Sequence, residues 1–438
     1  METDKTTLAD LSIFDNEENF SFFNKLDMCN TSRGREQLYN NFYTPLKTID
    51  EIKGVQHTIQ FIMQKQQYWP PQISNGTIMV IEKFYESAID EIPSGQSALS
   101  AITYKLLHSY DFSLVKYSAQ HCFDFIKGMQ LMIQHFLNND SPLPLKKLLE
   151  QAKKAISKTQ FSLVEKYNRS VELTNPELLH FAGFIRYHYK INMLELLGIY
   201  AQLDAWLSMA KAVQVYGLSF PEFIETGKPL LQVKGLYHLL LAQPVCYDVA
   251  VTEKNNFLFL TGANMAGKST FIKSVGSSVF LAHTGMGVPA QEMQLSFFDG
   301  LLSNINVADN IAKGESYFYN EVQRIKATVT KINDGKKWLI LIDELFKGTN
   351  VQDAMKCSRT VIEGLLKIKN SLFILSTHLY EIGNDLKQYP NISFKYFETS
   401  VSDDQLQFSY QLKDGISNDR LGYLILKKEG VVDLLEKL

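Results

Sequence analysis

Thr261-Gly262-Ala263-Asn264-Met265-Ala266-Gly267-Lys268-Ser269-Thr270 constrains this chain more than any other stretch. It follows the apolar run Phe257-Leu258-Phe259-Leu260 and leads into Phe271-Ile272-Lys273-Ser274-Val275. That order reads as strand, glycine-bearing loop and helix, with the spacing G-x-x-x-x-G-K-S intact. Gly262 and Gly267 let the backbone turn its N–H groups inward. A helix opening at Lys268 aims the positive end of its dipole at whatever the loop holds. The stretch is a cradle for a polyphosphate. Gly262, Ala263, Asn264, Met265, Ala266, Gly267, Lys268, Ser269 and Thr270 are its expected nucleotide-binding residues. Lys268 is expected on the β/γ-phosphates, and Ser269 is expected to offer its hydroxyl to Mg²⁺.

A phosphate cradle needs acidic partners, and Leu339-Ile340-Leu341-Ile342-Asp343-Glu344 supplies an apolar strand ending in two. Asp343 is expected in the Mg²⁺ shell through water, because Mg²⁺ prefers oxygen ligands and keeps its waters. Glu344 points elsewhere and is expected to polarise the attacking water. Leu372-Phe373-Ile374-Leu375-Ser376-Thr377-His378 is a further strand ending in polar residues, and it places His378 to read the γ-phosphate. The plain alternative for His378 is a structural histidine.

At 438 residues the chain exceeds one comfortable core. Residues 55–225 are helical in pattern, broken at Pro70-Pro71 and Pro93. Thr48 with Glu51 reads as a helix opening. A long helix is expected from Ile191 to Val215, with an apolar stripe through Leu194, Leu197, Leu203 and Trp206, closed by Tyr216-Gly217. After Lys228-Pro229 short apolar strands alternate with helices: Leu230–Val233, Phe257–Leu260, Trp338–Ile342, Leu372–Ser376, Ile392–Phe397 and Leu406–Gln411. That alternation argues a layered α/β sheet. The expectation is an all-α domain over residues 1–229 and an α/β P-loop NTPase domain, of the ABC ATPase type, over residues 230–438.

A net charge of −3 confines any nucleic-acid contact to a local patch. Between Ser141 and Ser170 seven basic residues face only Glu150 and Glu165. Lys146/Lys147 and Lys153/Lys154 are spaced to share one helix face, either as phosphate-backbone contacts or as a solvated surface. Cys29, Cys122, Cys246 and Cys357 are scattered without a C-x-x-C, as expected of reduced thiols. No apolar leader and no apolar run of membrane length is seen, so a cytoplasmic protein without a membrane contact is expected.

T-G-x-N-M-x-G-K-S-T at 261–270, D-E-L-x-K-G-T-N at 343–350 and S-T-H at 376–378 resemble the ATPase domain of the DNA mismatch repair protein MutS family. Asp309 with Gly314-Glu315-Ser316-Tyr317-Phe318-Tyr319-Asn320-Glu321 resembles the family's D-x-x-x-x-G-x-S-T-F-x-x-E segment. Tyr410-Gln411-Leu412-Lys413-Asp414-Gly415-Ile416-Ser417 resembles its late strand and turn, and Gly422 the glycine that follows. Upstream, Phe22 to Leu46 resembles the opening of the family's helical core, and Ile199 to Pro221 the end of its lever helices. The resemblance implies an Mg²⁺-dependent ATPase that works as a homodimer through the ATPase domain, on DNA. Ser316 matches the residue that reaches the partner's γ-phosphate, and Thr349 and Asp353 lie near the same interface.

Several positions depart from the family pattern. Asn304 stands where the family usually has Arg, Ala266 replaces a glycine and Tyr317 a threonine. The chain opens directly on the helical core, so neither a mismatch reader nor a connector is expected. The clamp is expected to be short or missing, and the helix-turn-helix dimerisation element has little room before Leu438. The F-x-E triplets at Phe84-Tyr85-Glu86 and Phe220-Pro221-Glu222 are read as chance. The expected function is an ATP-driven clamp on mismatched or structured DNA. The alternative is an ATP-driven switch acting on a protein partner. A transporter or chromosome-structure ATPase is disfavoured, because L-S-G-G is missing. Adenine contacts are expected, if anywhere, from Val245-Cys246-Tyr247.

Overall fold

The computed structural model describes residues 1–14, 20–93, 97–157, 161–306, 317–402, 405–417 and 431–435. They fall into two compact units, one of residues 26–44 and 53–215, the other of residues 1–25, 45–52 and 216–438. Helices α1 (Lys5–Asp10) and α2 (Phe22–Leu26) open the chain. The helical run continues with α3 (Ser32–Tyr43), α4 (Ile49–Lys65), α5 (Asn75–Glu86), α6 (Ala98–Leu107), α7 (Ser109–Phe136), α8 (Leu143–Ile156), α9 (Ser162–Lys166), α10 (Asn175–His188) and α11 (Lys190–Tyr216).

In the helical unit α5, α8 and α10 pack on α7, whose Phe112, Val115, Phe123, Ile126 and Met129 are buried. Three- and four-residue spacing puts these side chains on one stripe. Asp204 on α11 is fully buried and caps α3: its carboxylate accepts the N–H of Asn30 (3.0 Å) and the N–H and hydroxyl of Thr31 (2.9 and 2.7 Å). A buried carboxylate needs such partners. Gly34 makes that approach possible, since a Cβ there would lie 2.2 Å from the Asp204 carboxylate. On α8, Leu145, Leu149 and Ala152 are buried, Lys147, Lys153 and Lys154 are exposed, and Lys146 is half-buried. The Phe84-Tyr85-Glu86 triplet lies on α5 with Phe84 in the core.

The second unit holds two sheets, built from β1 (Glu222–Phe223), β2 (Leu230–Leu236), β3 (Tyr247–Thr252), β4 (Phe257–Thr261), β5 (Glu292–Leu295), β6 (Gly300–Asn304), β7 (Trp338–Asp343), β8 (Leu372–Ser376), β9 (Ile392–Ser402) and β10 (Gln405–Asp414). Its helices are α12 (Lys268–His283), α13 (Tyr317–Ile332), α14 (Val351–Leu365), α15 (Tyr380–Leu386) and α16 (Val431–Leu435). The smaller sheet runs β1-β5-β2-β3 and the larger β10-β9-β4-β8-β7-β6. From β9 to β6 the larger sheet is parallel, with β10 antiparallel at one edge. β4, β7 and β8 are buried at every position, as expected of parallel strands covered on both faces.

The first residues of the chain are part of this unit. Glu2 bridges to Gly300 on β6. The buried Asp10 carboxylate accepts the Ser303 hydroxyl (2.5 Å) and the N–H groups of Ile305 (3.0 Å) and Asn306 (3.1 Å). Among the described residues no helix is long and apolar enough to cross a membrane.

Candidate functional site

β8 lies between β4 and β7, and its register sets Ser376 beside Leu260 on one side and Asp343 on the other. Three strands therefore deliver their carboxyl ends to one place, where ligands of open α/β sheets bind. The loop from β4 to α12 crosses that place. Gly262 has φ +136° and Gly267 φ +107°, both in the region that favours glycine. At Gly262 a Cβ would also crowd the Phe397 backbone at 3.2 Å. Met265 takes φ +68° with its side chain exposed, while Ala266 is buried.

Lys268, the first residue of α12, is buried, and its Nζ donates to the carbonyls of Gly262 (2.8 Å) and Ala263 (3.0 Å). Burial lowers its pKa, while the charges of Glu344 and Asp343 pull it back up. Ser269 donates its hydroxyl to Asp343 Oδ2 at 2.5 Å, and Ser376 donates to Asp343 Oδ1. Hydroxyl and carboxylate oxygens are the donor set a hard divalent cation such as Mg²⁺ takes.

Glu344 follows Asp343 at φ +62°, its N–H bonded to the Ser376 carbonyl at 3.0 Å. That backbone turns its side chain away from Asp343. Its Oε2 lies 3.7 Å from His378 Nδ1 and 3.3 Å from Lys347 Nζ. The His378 imidazole, then the Lys347 charge, outweigh burial and hold the Glu344 carboxyl down at about 2. Glu344 is therefore ionised at neutral pH.

Of these groups Lys268, Ser269 and Glu344 border a cleft of about 450 Å³. Loop residues 263–265 and 267–270 form one wall, and Leu241, Val245, Tyr247 and Tyr410 another. Tyr247 is held edge-on by Phe271 (5.4 Å) and Phe397 (5.7 Å), and burial pushes its hydroxyl up to about 12. Tyr410 sits at φ +53° where the β9–β10 pairing shifts register between Phe408 and Leu412. Its Cδ1 would stand 3.4 Å from a Cβ on Gly267.

Most of the residues that border this cleft, from Ala263 to Tyr410, fall within one family match, while Leu241, Gln243, Val245 and Tyr247 precede it. Residues 258–434 match the family model of MutS domain V. Over that stretch the chain is similar to the MutS family. It is 26% identical over 306 residues to the DNA mismatch repair protein MutS of Petrotoga mobilis, which covers 69% of this chain and 36% of that protein. It is 32% identical over 231 residues to human MutS protein homolog 4, over 50% of this chain and 24% of that protein. With MutS of Thermotoga maritima it shares 28% over 249 residues, 56% of this chain and 31% of that protein. The chain thus spans about a quarter to a third of the length of these relatives.

MutS domain V, an ATPase-type domain, accounts for most of the site residues read from the sequence. Lys268, Ser269, Asp343, Glu344 and His378 come together within it. Thr349 is half-buried, and Asp353 is exposed in the first turn of α14, its N–H bonded to Asn350 Oδ1 at 3.0 Å and its carboxylate to Asn350 Nδ2 at 2.7 Å. Ser316 and Asp309 lie outside the described residues, as does Gly422. Lys146, Lys147, Lys153 and Lys154 belong to the helical unit. Of Val245-Cys246-Tyr247, Val245 and Tyr247 line the cleft. Sequence reasoning missed Tyr410 and Lys347. The Lys347 signal lay in its position three residues after Glu344, where a turn brings the side chains together. Tyr410 needed the strand register.

Proposed function

We propose that this chain is an ATP-dependent DNA-binding protein of the MutS type, in which ATP binding and hydrolysis move a dimeric clamp on mismatched or structured DNA. The observation that carries this reading is that Lys268, Ser269 and Glu344 meet on one cleft, with Ser269 and Ser376 both bonded to Asp343 behind it, all within the stretch that matches MutS domain V.

In this reading the loop is a P-loop. Its N–H groups and the α12 dipole bind the phosphates, and Lys268 exchanges its two carbonyl partners for phosphate oxygens. Ser269 and Asp343 would hold Mg²⁺, which supplies positive charge against the phosphate oxygens when bound. Tyr247 and Tyr410 form the walls for the adenine ring, Tyr410 by stacking. Glu344 orients the attacking water. Its low pKa makes it a weak base, so it acts by positioning and charge more than by taking the proton early. His378 and Lys347 keep its carboxylate ionised and aimed.

The ATP site is completed by Ser316 of a second copy, with Thr349 and Asp353 at the same interface. Residues 230–438 carry the engine, and the helical unit of residues 26–44 and 53–215 transmits its state to DNA, with Lys146, Lys147, Lys153 and Lys154 as candidate backbone contacts. A second reading, an ATP-driven switch on a protein partner, is favoured by the net charge of −3.

ATP turnover measured alone and with homoduplex, mismatched duplex and four-way junction separates the two. Stimulation or inhibition by any of these DNAs supports the clamp. Turnover indifferent to all three, without detectable DNA binding, supports the protein-partner reading. No Mg²⁺-dependent turnover and no ATP binding would sink both.

A further inference from the structure

The loop after β7 is held in a conformation its residues do not favour. Glu344 and Phe346 both take positive φ, +62° and +59°. Non-glycine residues stay in that region only where the surroundings over-determine it. The surroundings here are the first turn and a half of α13. The Phe318 ring packs on the Phe346 ring at 5.7 Å. Gly348 abuts the helix so closely that a Cβ would lie 2.7 Å from Tyr317 Cδ1 and 2.8 Å from Phe318 N. Glu321, only 5% exposed, accepts the N–H of Lys347 on one carboxylate oxygen (3.0 Å) and the N–H of Gly348 on the other (3.2 Å). The backbone held by Glu321 is that of Lys347, whose Nζ stands 3.3 Å from Glu344.

We propose that Glu321 is a positioning residue for ATP hydrolysis: its bidentate grip on the Lys347 and Gly348 N–H groups fixes the strained loop that aims Glu344. Two charge-assisted bonds to adjacent N–H groups define both the place and the tilt of that peptide. Removing them frees Phe346 and Glu344 to relax toward ordinary φ values, and the Glu344 carboxylate moves with them. Displacements of this size lower the chemical step far more than binding. The loop that binds the phosphates lies on other elements, β4 and α12, and is left as it was. The inference rests on the ATPase reading of Glu344.

The test uses the full chain with Glu321→Ala, Glu321→Gln, Glu344→Gln and the double variant Glu321→Ala/Glu344→Gln. Affinity is read with a slowly hydrolysed fluorescent ATP analogue, and turnover with Mg²⁺-ATP. Glu321→Ala is expected to lower kcat roughly tenfold or more while changing analogue affinity less than about threefold. Glu321→Gln, keeping one acceptor oxygen, falls between it and the wild type. In the Glu344→Gln background Glu321→Ala adds less than about a twofold loss, because both act through one group. Unchanged kcat in Glu321→Ala, fully multiplicative losses, or affinity falling in step with kcat would each overturn the proposal. If the alanine variant does not fold, Glu321→Gln alone and in the Glu344→Gln background carries the same comparison. A Glu344→Gln protein with wild-type turnover would instead overturn the reading of Glu344 itself, and the inference with it.

Discussion

Ser269 donates its hydroxyl to the Asp343 carboxylate at 2.5 Å, although 74 residues separate them in the chain. Ser269 lies in the first turn of α12 and Asp343 closes β7, so the bond joins the two halves of the expected metal site. Ser376 completes the arrangement from β8 by donating to the other Asp343 oxygen. A carboxylate so held is preorganised and loses little freedom when a cation replaces the serine proton as its partner.

Lys268→Ala is expected to abolish useful nucleotide affinity. Among the described residues its Nζ bonds to loop carbonyls, Gly262 and Ala263, so the loop itself tolerates the loss. A missing charge on the phosphates weakens binding by roughly a hundredfold, about 2.7 kcal/mol. Equilibrium titration with a fluorescent ATP analogue measures it. An unchanged Kd would remove Lys268 from the phosphate site.

Glu344→Gln is expected to bind ATP and to stall hydrolysis, with kcat lower by on the order of 10²–10⁴. Because ATP is expected to bridge two copies, the stalled variant should accumulate as a dimer in Mg²⁺-ATP. Light scattering coupled to size exclusion decides this: a monomer under saturating ATP counts against a shared site.

How legible was this site in the residues? β4, β7 and β8 were readable because strands covered on both faces are continuous apolar runs, and their polar last residues fall where ligands bind. β6 was not readable. It begins at Gly300 and carries Ser303 and Asn304, buried polar residues that would be costly in isolation. Their partners are distant: Asp10 and Thr7 for Ser303, Thr328 for Asn304. β3 and β5 alternate buried and exposed positions, but over only six and four residues, too short for the period to stand out in the sequence. Tyr410 and Glu321 stood in segments matched to the family, yet their tasks depend on a register shift and on a loop 26 residues downstream, which periodicity does not carry.

Tyr410→Ala is expected to weaken ATP binding about tenfold, since one base–aromatic stack is worth roughly 1–3 kcal/mol. Tyr410→Phe keeps the ring and should stay within about twofold. Competition between ATP and tripolyphosphate tests the assignment. Tripolyphosphate, without a base, should bind both variants like the wild type. Equal weakening of both ligands by Tyr410→Ala would mean that Tyr410 supports the loop through Gly267 and not the base.

Stability should fall with acid from about neutrality. His283 is fully buried between the Val279 carbonyl (2.8 Å from Nδ1) and the Phe298 N–H (3.0 Å to Nε2), and burial pushes its pKa down to about 3. Burial, then the Lys273 charge, lowers His238 to about 4. For both, the folded state holds the neutral ring, so their contribution is complete above about pH 6.5 and is lost as pH falls below it. Each can contribute a slope of roughly 1.4 kcal/mol per pH unit there. Glu344, with its carboxyl lowered to about 2, adds stability above about pH 4.5 that fades only below that. Urea midpoints at pH 7.5, 6.0 and 5.0 should therefore decline in order. A flat profile across that range would contradict the buried neutral state of both histidines.

The lysines of α8 give the DNA reading its sharpest test. Leu145, Leu149 and Ala152 anchor the helix inward, so Lys147, Lys153 and Lys154 can be changed without touching the core. Each lysine that neutralises a phosphate releases about 0.9 counterion, so up to four contacts contribute a slope of roughly 3–4 in log Kd against log salt. Replacing Lys146, Lys147, Lys153 and Lys154 with Gln should remove about that much of the slope and weaken binding to all sequences alike. ATP affinity should not change, because the nucleotide cleft is built from the other unit. If the wild type binds duplex, mismatch and junction with a steep slope and the variant keeps it, DNA is gripped elsewhere and the α8 face is a solvated surface. If the wild type shows no salt-dependent binding to any of them, the DNA reading falls and the engine must drive a protein partner.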